Sequence, residues 1–111
     1  MVLYRAVSTA EKDDIQIHKQ FRTQINTLEA KQFFSSEVAV SEYVAASVKR
    51  NFIPPYTYIL TVSINEQCFL HVTHNRQELD GHDAISIDQQ HLSLFNKFVI
   101  FIEPNVIEDS L

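Results

Sequence analysis

"KQFFSSEVAVSEYVAASVKR", residues 31–50, carries two periodicities in succession. Lys31-Gln32-Phe33-Phe34 is a short run ending in two aromatics, and it reads as a strand. After it, Val40, Tyr43, Val44 and Val48 recur at i, i+3, i+4 and i+8, which predicts a helix with one apolar stripe. Ser36 suits the N-cap, Glu37 falls in the first turn, and Lys49-Arg50 fall in the last. Each complements the helix dipole or its orphan amide groups. Asn51 suits the C-cap, and Pro54-Pro55 bars continuation. A strand feeding a one-sided helix implies a sheet with a helix laid on it.

The flanking sequence extends that pattern. Val2 to Val7 reads as a first strand. Ser8 and Glu11 form a capping-box pattern, which starts a helix over about Thr9 to Lys19. Gln20 to Ala30 has no clean period and is expected as loop. Tyr58, Leu60, Val62 and Ile64 alternate with Thr57, Ile59, Thr61 and Ser63, the clearest strand of the chain. Cys68 to Thr73 is expected as a further strand. Asp80-Gly81 is a turn signal, Ala84 to Asp88 a short strand, and Gln89 to Asn96 a brief helical segment. Lys97 to Glu103 is apolar on both faces and is expected as a central strand ended by Pro104. The fold class is therefore α+β: one domain over residues 1–111, with a mixed or mostly antiparallel sheet of five to six strands and two main helices. Residues 104–111 are expected as a frayed acidic tail.

Composition narrows the function classes. The chain has 111 residues, 45% of them hydrophobic and 21% charged, as expected of one globular domain. Its net charge of −5 comes with scattered lysines and arginines, which disfavours a nucleic-acid-binding surface. No apolar run reaches the roughly 18 residues of a membrane span. Met1 to Lys12 lacks a basic-then-apolar leader. The expectation is a cytoplasmic protein, or one exported without a classical signal. Cys68 is the only cysteine, which fits a buried thiol acting as a small hydrophobe. His71 and His74 sit three apart, but without a second cysteine or an HExxH pattern no metal is expected. A single glycine rules out glycine-rich phosphate loops.

Three segments form a distributed pattern: "LYRAVSTAEKDDI" (3–15), "KQFFSSEVAVSEYV" (31–44) and "AISIDQQHLSLFN" (84–96). In the same order they resemble the "YR-x-V-S…E", "K-x-F-F/A…A" and "L…F-N" segments of ADP-ribosyltransferase-fold domains, in particular the small domains at the C-termini of polymorphic bacterial toxins. The resemblance implies NAD as substrate and transfer of ADP-ribose to a macromolecular target. It implies that Arg5 holds a pyrophosphate or ribose, a task suited to a bidentate guanidinium. Ser35 or Ser36 would support the nicotinamide-ribose end, and Tyr43 or a phenylalanine would stack on nicotinamide. The family's catalytic glutamate has no counterpart, because no glutamate lies between Glu78 and Glu103. Asp88 stands nearest its place, as the residue that would stabilise developing oxocarbenium charge.

Each of these residues also has a purely structural reading. Arg5 would be a surface cation paired with Glu11 or Asp14, Ser36 a helix cap, Tyr43 a core residue, and Asp88 the N-cap of the following turn. On that reading the chain is a non-catalytic protein-interaction module, with a homodimer as one form. It would bind through a sheet edge or through a surface rich in its 8 phenylalanines and 4 tyrosines.

Overall fold

The computed structural model describes residues 1–23 and 30–107. Six strands form one antiparallel sheet: β1 (Val2–Val7), β2 (Lys31–Phe34), β3 (Tyr58–Ile64), β4 (Asn75–Leu79), β5 (His82–Ile87) and β6 (Val99–Val106). Their spatial order is β4-β5-β2-β1-β3-β6. The helices are α1 (Thr9–His18), α2 (Glu37–Lys49), α3 (Cys68–His71) and α4 (Leu92–Phe98), the last entered through a 3-10 turn at Gln89–His91. This is the expected α+β architecture, with α1 and α2 the two long helices.

The sheet has helices on both faces. Leu3, Val7, Phe33, Leu60, Val62, Ile64, Ile85 and Ile87 point to one face, where Ile15 of α1 and Leu92 and Phe95 of α4 pack on them. Ala6, Phe34 and Ala84 point to the other, under Ala39, Val40 and Val44 of α2. At the centre of the first core, Phe33 lies 5.2 Å from Phe21 in an edge-on contact and 5.0 Å from Phe95. Both distances fall in the favourable range for ring pairs.

Local chemistry explains the starts of α1 and α2. Ser8 Oγ accepts from Glu11 N, and Ser36 Oγ accepts from Ala39 N, both at 3.3 Å. In α2 the buried positions are Ala39, Val40, Val44 and Ser47, whereas Val48, expected on the apolar stripe, is 69% exposed. The helical pitch gives the reason. At about 100° per residue, position 47 returns to within about 20° of position 40, while position 48 overshoots by about 80°. Ser47 is tolerated there because its hydroxyl donates to Val44 O at 2.6 Å.

Three further expectations are corrected. Cys68 to Thr73 is not a strand, since Cys68–His71 is the helix α3. Asn65 starts that helical turn: its Oδ1 accepts from Gln67 N and its carbonyl from Cys68 N, at 2.8 and 2.9 Å. With no glycine to close a tight hairpin, the chain leaves the sheet there. The apolar run after Lys97 is not a central strand either. Phe98 finishes α4, and β6 pairs with β3 alone, so it forms one edge of the sheet. Pro104 does not end β6 but lies inside it, opposite Leu60, and the strand continues to Val106. Residues 24–29 of the expected loop and 108–111 of the expected tail lie outside the described residues.

Candidate functional site

Arg5 lies in the middle of β1 on the α1 side of the sheet, and it is buried. Its Nε donates to Glu11 Oε2 at 2.7 Å, its Nη2 to Glu11 Oε1 at 2.8 Å, and its Nη1 to Gln32 O at 3.1 Å. Lys31 Nζ stands 3.3 Å from the same carboxylate. Arg5 is thus not the surface cation expected, although its partner is the expected Glu11. Burial alone would raise the Glu11 pKa. The hydrogen bonds and charges of Arg5 and Lys31 outweigh it and hold the carboxyl below its ordinary value. The Glu11 side chain therefore serves Arg5 and Lys31, while Ser8 keeps its half of the cap. The register of β1 with β2 contains a single partner pair, Tyr4 with Phe34. Next to that short ladder, the guanidinium takes the Gln32 carbonyl, so Arg5 fastens α1, β1 and β2 together.

The other residues singled out from the sequence lie elsewhere. Ser36 caps α2, and Ser35 beside it is exposed. Tyr43 is on the opposite face of the sheet from Arg5, packed on Phe34 at 5.1 Å with its hydroxyl 3.3 Å from that of Tyr56. Asp88 occupies the N-cap position of the 3-10 turn and makes no side-chain cap bond. Phe34 pairs with Ala84 and Lys31 with Ile87, so Ser35 and Asp88 follow opposite ends of the β2–β5 ladder. At about 3.3 Å per residue they stand roughly 17 Å apart. Arg5, Ser35, Ser36, Tyr43 and Asp88 share no cleft. Among the described residues, no three His, Cys, Asp or Glu side chains are grouped to hold a metal ion, and no helix is long and apolar enough to cross a membrane.

A different place gathers accessible apolar surface. Along β6, Ile100 is 71% exposed, Phe101 55% and Val106 64%. Ile107 N donates to Thr57 O on the β3 side. The period of two then turns the amides of Asn105 and Glu103 toward β3 as well. The amides of Ile102 and Val106, and the Pro104 nitrogen, point away from the sheet. A proline is tolerated there because no ladder bond is lost. Beside this edge a groove of about 390 Å³ opens between β6 and α1. Ile15, Leu60, Val99, Ile102 and Pro104 form its apolar floor and walls, and Lys12, Gln16 and Lys19 line its α1 side.

Protein-family models, curated proteins and solved structures were compared with the chain, and none matches.

The two edges of the sheet are chemically unlike. β4, at the far edge, shows solvent Asn75, Arg76, Gln77 and Glu78, the polar, charged surface that discourages strand addition. β6 presents aliphatic and aromatic residues, with Glu103 its single charge. Sequence reasoning missed this site because an apolar run reads the same whether it is central or an edge. The signal that separates them is Pro104 within the run.

Proposed function

We propose that this chain is a non-catalytic protein-interaction module that docks a partner along β6 and the groove between β6 and α1. The observation that carries the reading is the contrast between the two edges: β4 is polar, while β6 exposes Ile100, Phe101 and Val106 beside an apolar groove. Strand addition supplies main-chain hydrogen bonds from the edge, and an adjoining groove supplies side-chain selectivity. The placement of Arg5 favours this reading over NAD transfer. Its guanidinium is buried and held on two sides of one carboxylate, and engaging a phosphate would cost that pair.

The test is a selection of peptides from a random library on the immobilised protein, followed by binding to Ile102→Pro and Val106→Pro. Both changes remove an outward amide and leave the β3 ladder intact. Val106 is exposed, so Val106→Pro keeps the wild-type Tm. Selected peptides are expected to lose at least tenfold in affinity for the variants. Equal affinity for wild type and both variants would sink the reading.

A further inference from the structure

Away from β6, we infer that Asp80-Gly81 is a site of isoaspartate formation and that Arg50 sets its rate. The chain's only glycine follows Asp80. These two residues are the whole loop of the β4–β5 hairpin, since the ladder closes at Leu79 with His82. A Cβ added at Gly81 meets nothing within 4 Å, so open space adjoins the peptide nitrogen between the two residues. The other aspartates of the described residues, Asp13, Asp14, Asp83 and Asp88, precede residues that carry a Cβ. The first three also lie inside α1 or β5.

The step needs no other reactant. The Gly81 nitrogen attacks Asp80 Cγ and a five-membered ring closes. One carboxyl oxygen leaves as water, taking the amide proton and the carboxyl proton. Water then adds at the main-chain carbonyl carbon of Asp80, and the bond from that carbon to the Gly81 nitrogen breaks. The chain now runs through Cβ and Cγ, the former main-chain carbonyl is a free carboxylate, and the mass is unchanged. The product lengthens a two-residue turn by one main-chain atom. The left-handed pair at φ 51° and 80°, which matches the twist of the strands, is lost. β4 pairs with β5 alone, so that edge loosens.

What restrains Asp80 is Arg50, the C-cap of α2. Its Nη1 donates to Oδ1 at 3.0 Å and to Oδ2 at 3.1 Å. Both oxygens are held by one donor, and Cγ must leave this pair and turn to the Gly81 nitrogen before the ring can close. On the other side of Gly81, His82 Nε2 stands 2.8 Å from Glu42 Oε2, so α2 grips the hairpin through both neighbours of the glycine. Arg50 and Asp80 are both partly exposed. A pair of this kind is worth little, so it slows the reaction without stopping it.

The experiment incubates wild type, Arg50→Ala and Arg50→Lys for several weeks at neutral pH, with wild type in urea as the unrestrained chain. Isoaspartate at residue 80 is counted by electron-transfer fragmentation of the tryptic peptide. That peptide also carries Asp83, which serves as the internal control. The expected result is isoaspartate at residue 80 in the folded wild type, forming about two- to fivefold faster in Arg50→Ala. Arg50→Lys should stay near the wild-type rate, and Asp83 should stay unchanged throughout. Equal rates in wild type and Arg50→Ala overturn the role of Arg50. A rate that rises at Asp83 in step with residue 80 reports general unfolding and overturns that role as well. No isoaspartate in any folded form, while the urea sample accumulates it, overturns the site itself.

Discussion

Asn96 holds both backbone polar groups of Phe21: its Oδ1 accepts from Phe21 N at 2.9 Å, and its Nδ2 donates to Phe21 O at 2.8 Å. The pair joins α4 to the segment after α1 and seats the fully buried Phe21 ring against Phe33 and Phe95. Asn96→Ala removes two hydrogen bonds and leaves a part-buried amide and carbonyl to find water. The expected loss is about 2–3 kcal/mol by urea denaturation, from two bonds near 1 kcal/mol each plus imperfect rehydration. Asn96→Asp keeps the acceptor for Phe21 N but lacks the donor for Phe21 O, so it should fall between Asn96→Ala and wild type.

The Arg5–Glu11 pair gives a second prediction. Glu11→Gln leaves the buried guanidinium without its counter-ion, and breaking a buried pair in this way costs about 3–5 kcal/mol. A double variant, Arg5→Met with Glu11→Leu, should recover part of that loss, since it removes the buried guanidinium, while Lys31 still loses the Glu11 carboxylate. The Glu11 pKa is depressed in the folded protein. Its contribution is therefore fully present above the unfolded value of about 4.3 and is lost as pH falls through the folded value. Urea midpoints measured from pH 6 downward should show an acid-side decline that is shallower in the double variant.

The β4–β5 hairpin turns at Asp80 and Gly81, with φ of 51° and 80°, the left-handed pair that matches the twist of the strands. A Cβ added at Gly81 meets nothing within 4 Å. Gly81→Ala should therefore cost only the backbone term, about 1 kcal/mol, with no rearrangement of the hairpin. A loss above about 2 kcal/mol in thermal or urea unfolding would contradict that account.

Cys68 is buried in the first core, and burial raises its thiol pKa. A protonated, enclosed thiol is a poor nucleophile. Labelling with a thiol reagent at neutral pH should follow unfolding: slow in buffer, and complete within the mixing time in denaturant. Fast labelling of the native protein would contradict the burial.

Much of this fold was legible in the sequence because local chemistry and tertiary packing agreed. Ser8 and Ser36 cap the helices they were expected to cap, and the alternation from Tyr58 to Ile64 gives β3 with its outer positions half-buried. The failures have physical causes. Cys68 to Thr73 has strand-forming residues, but Asn65 closes a helical turn just before them. The apolar run in β6 gives no sign of its neighbours, since strand order is set by partners distant in sequence. Phe21 sits in a segment without periodicity, so nothing local marks it as a core anchor. At the level of sites, Arg5 and Glu11 were legible as a pair, but their burial was not, because it depends on α1 folding back over β1. The serines, Tyr43 and Asp88 were each legible as a cap, a packed ring and a turn opener. Whether they met in space depended on the β2–β5 register, which puts Ser35 and Asp88 at opposite ends.

The most direct test of edge docking is amide hydrogen exchange along β6, with and without a peptide selected on the protein. In the free protein the amides of Ile102 and Val106 face away from β3 and should exchange quickly, while those of Glu103 and Asn105 are held in the ladder. A docked strand is predicted to slow Ile102 and Val106 by more than tenfold and to leave Glu103 and Asn105 little changed. A bound peptide that leaves Ile102 and Val106 exchanging at their free rates, or that protects β4 instead, would contradict the account.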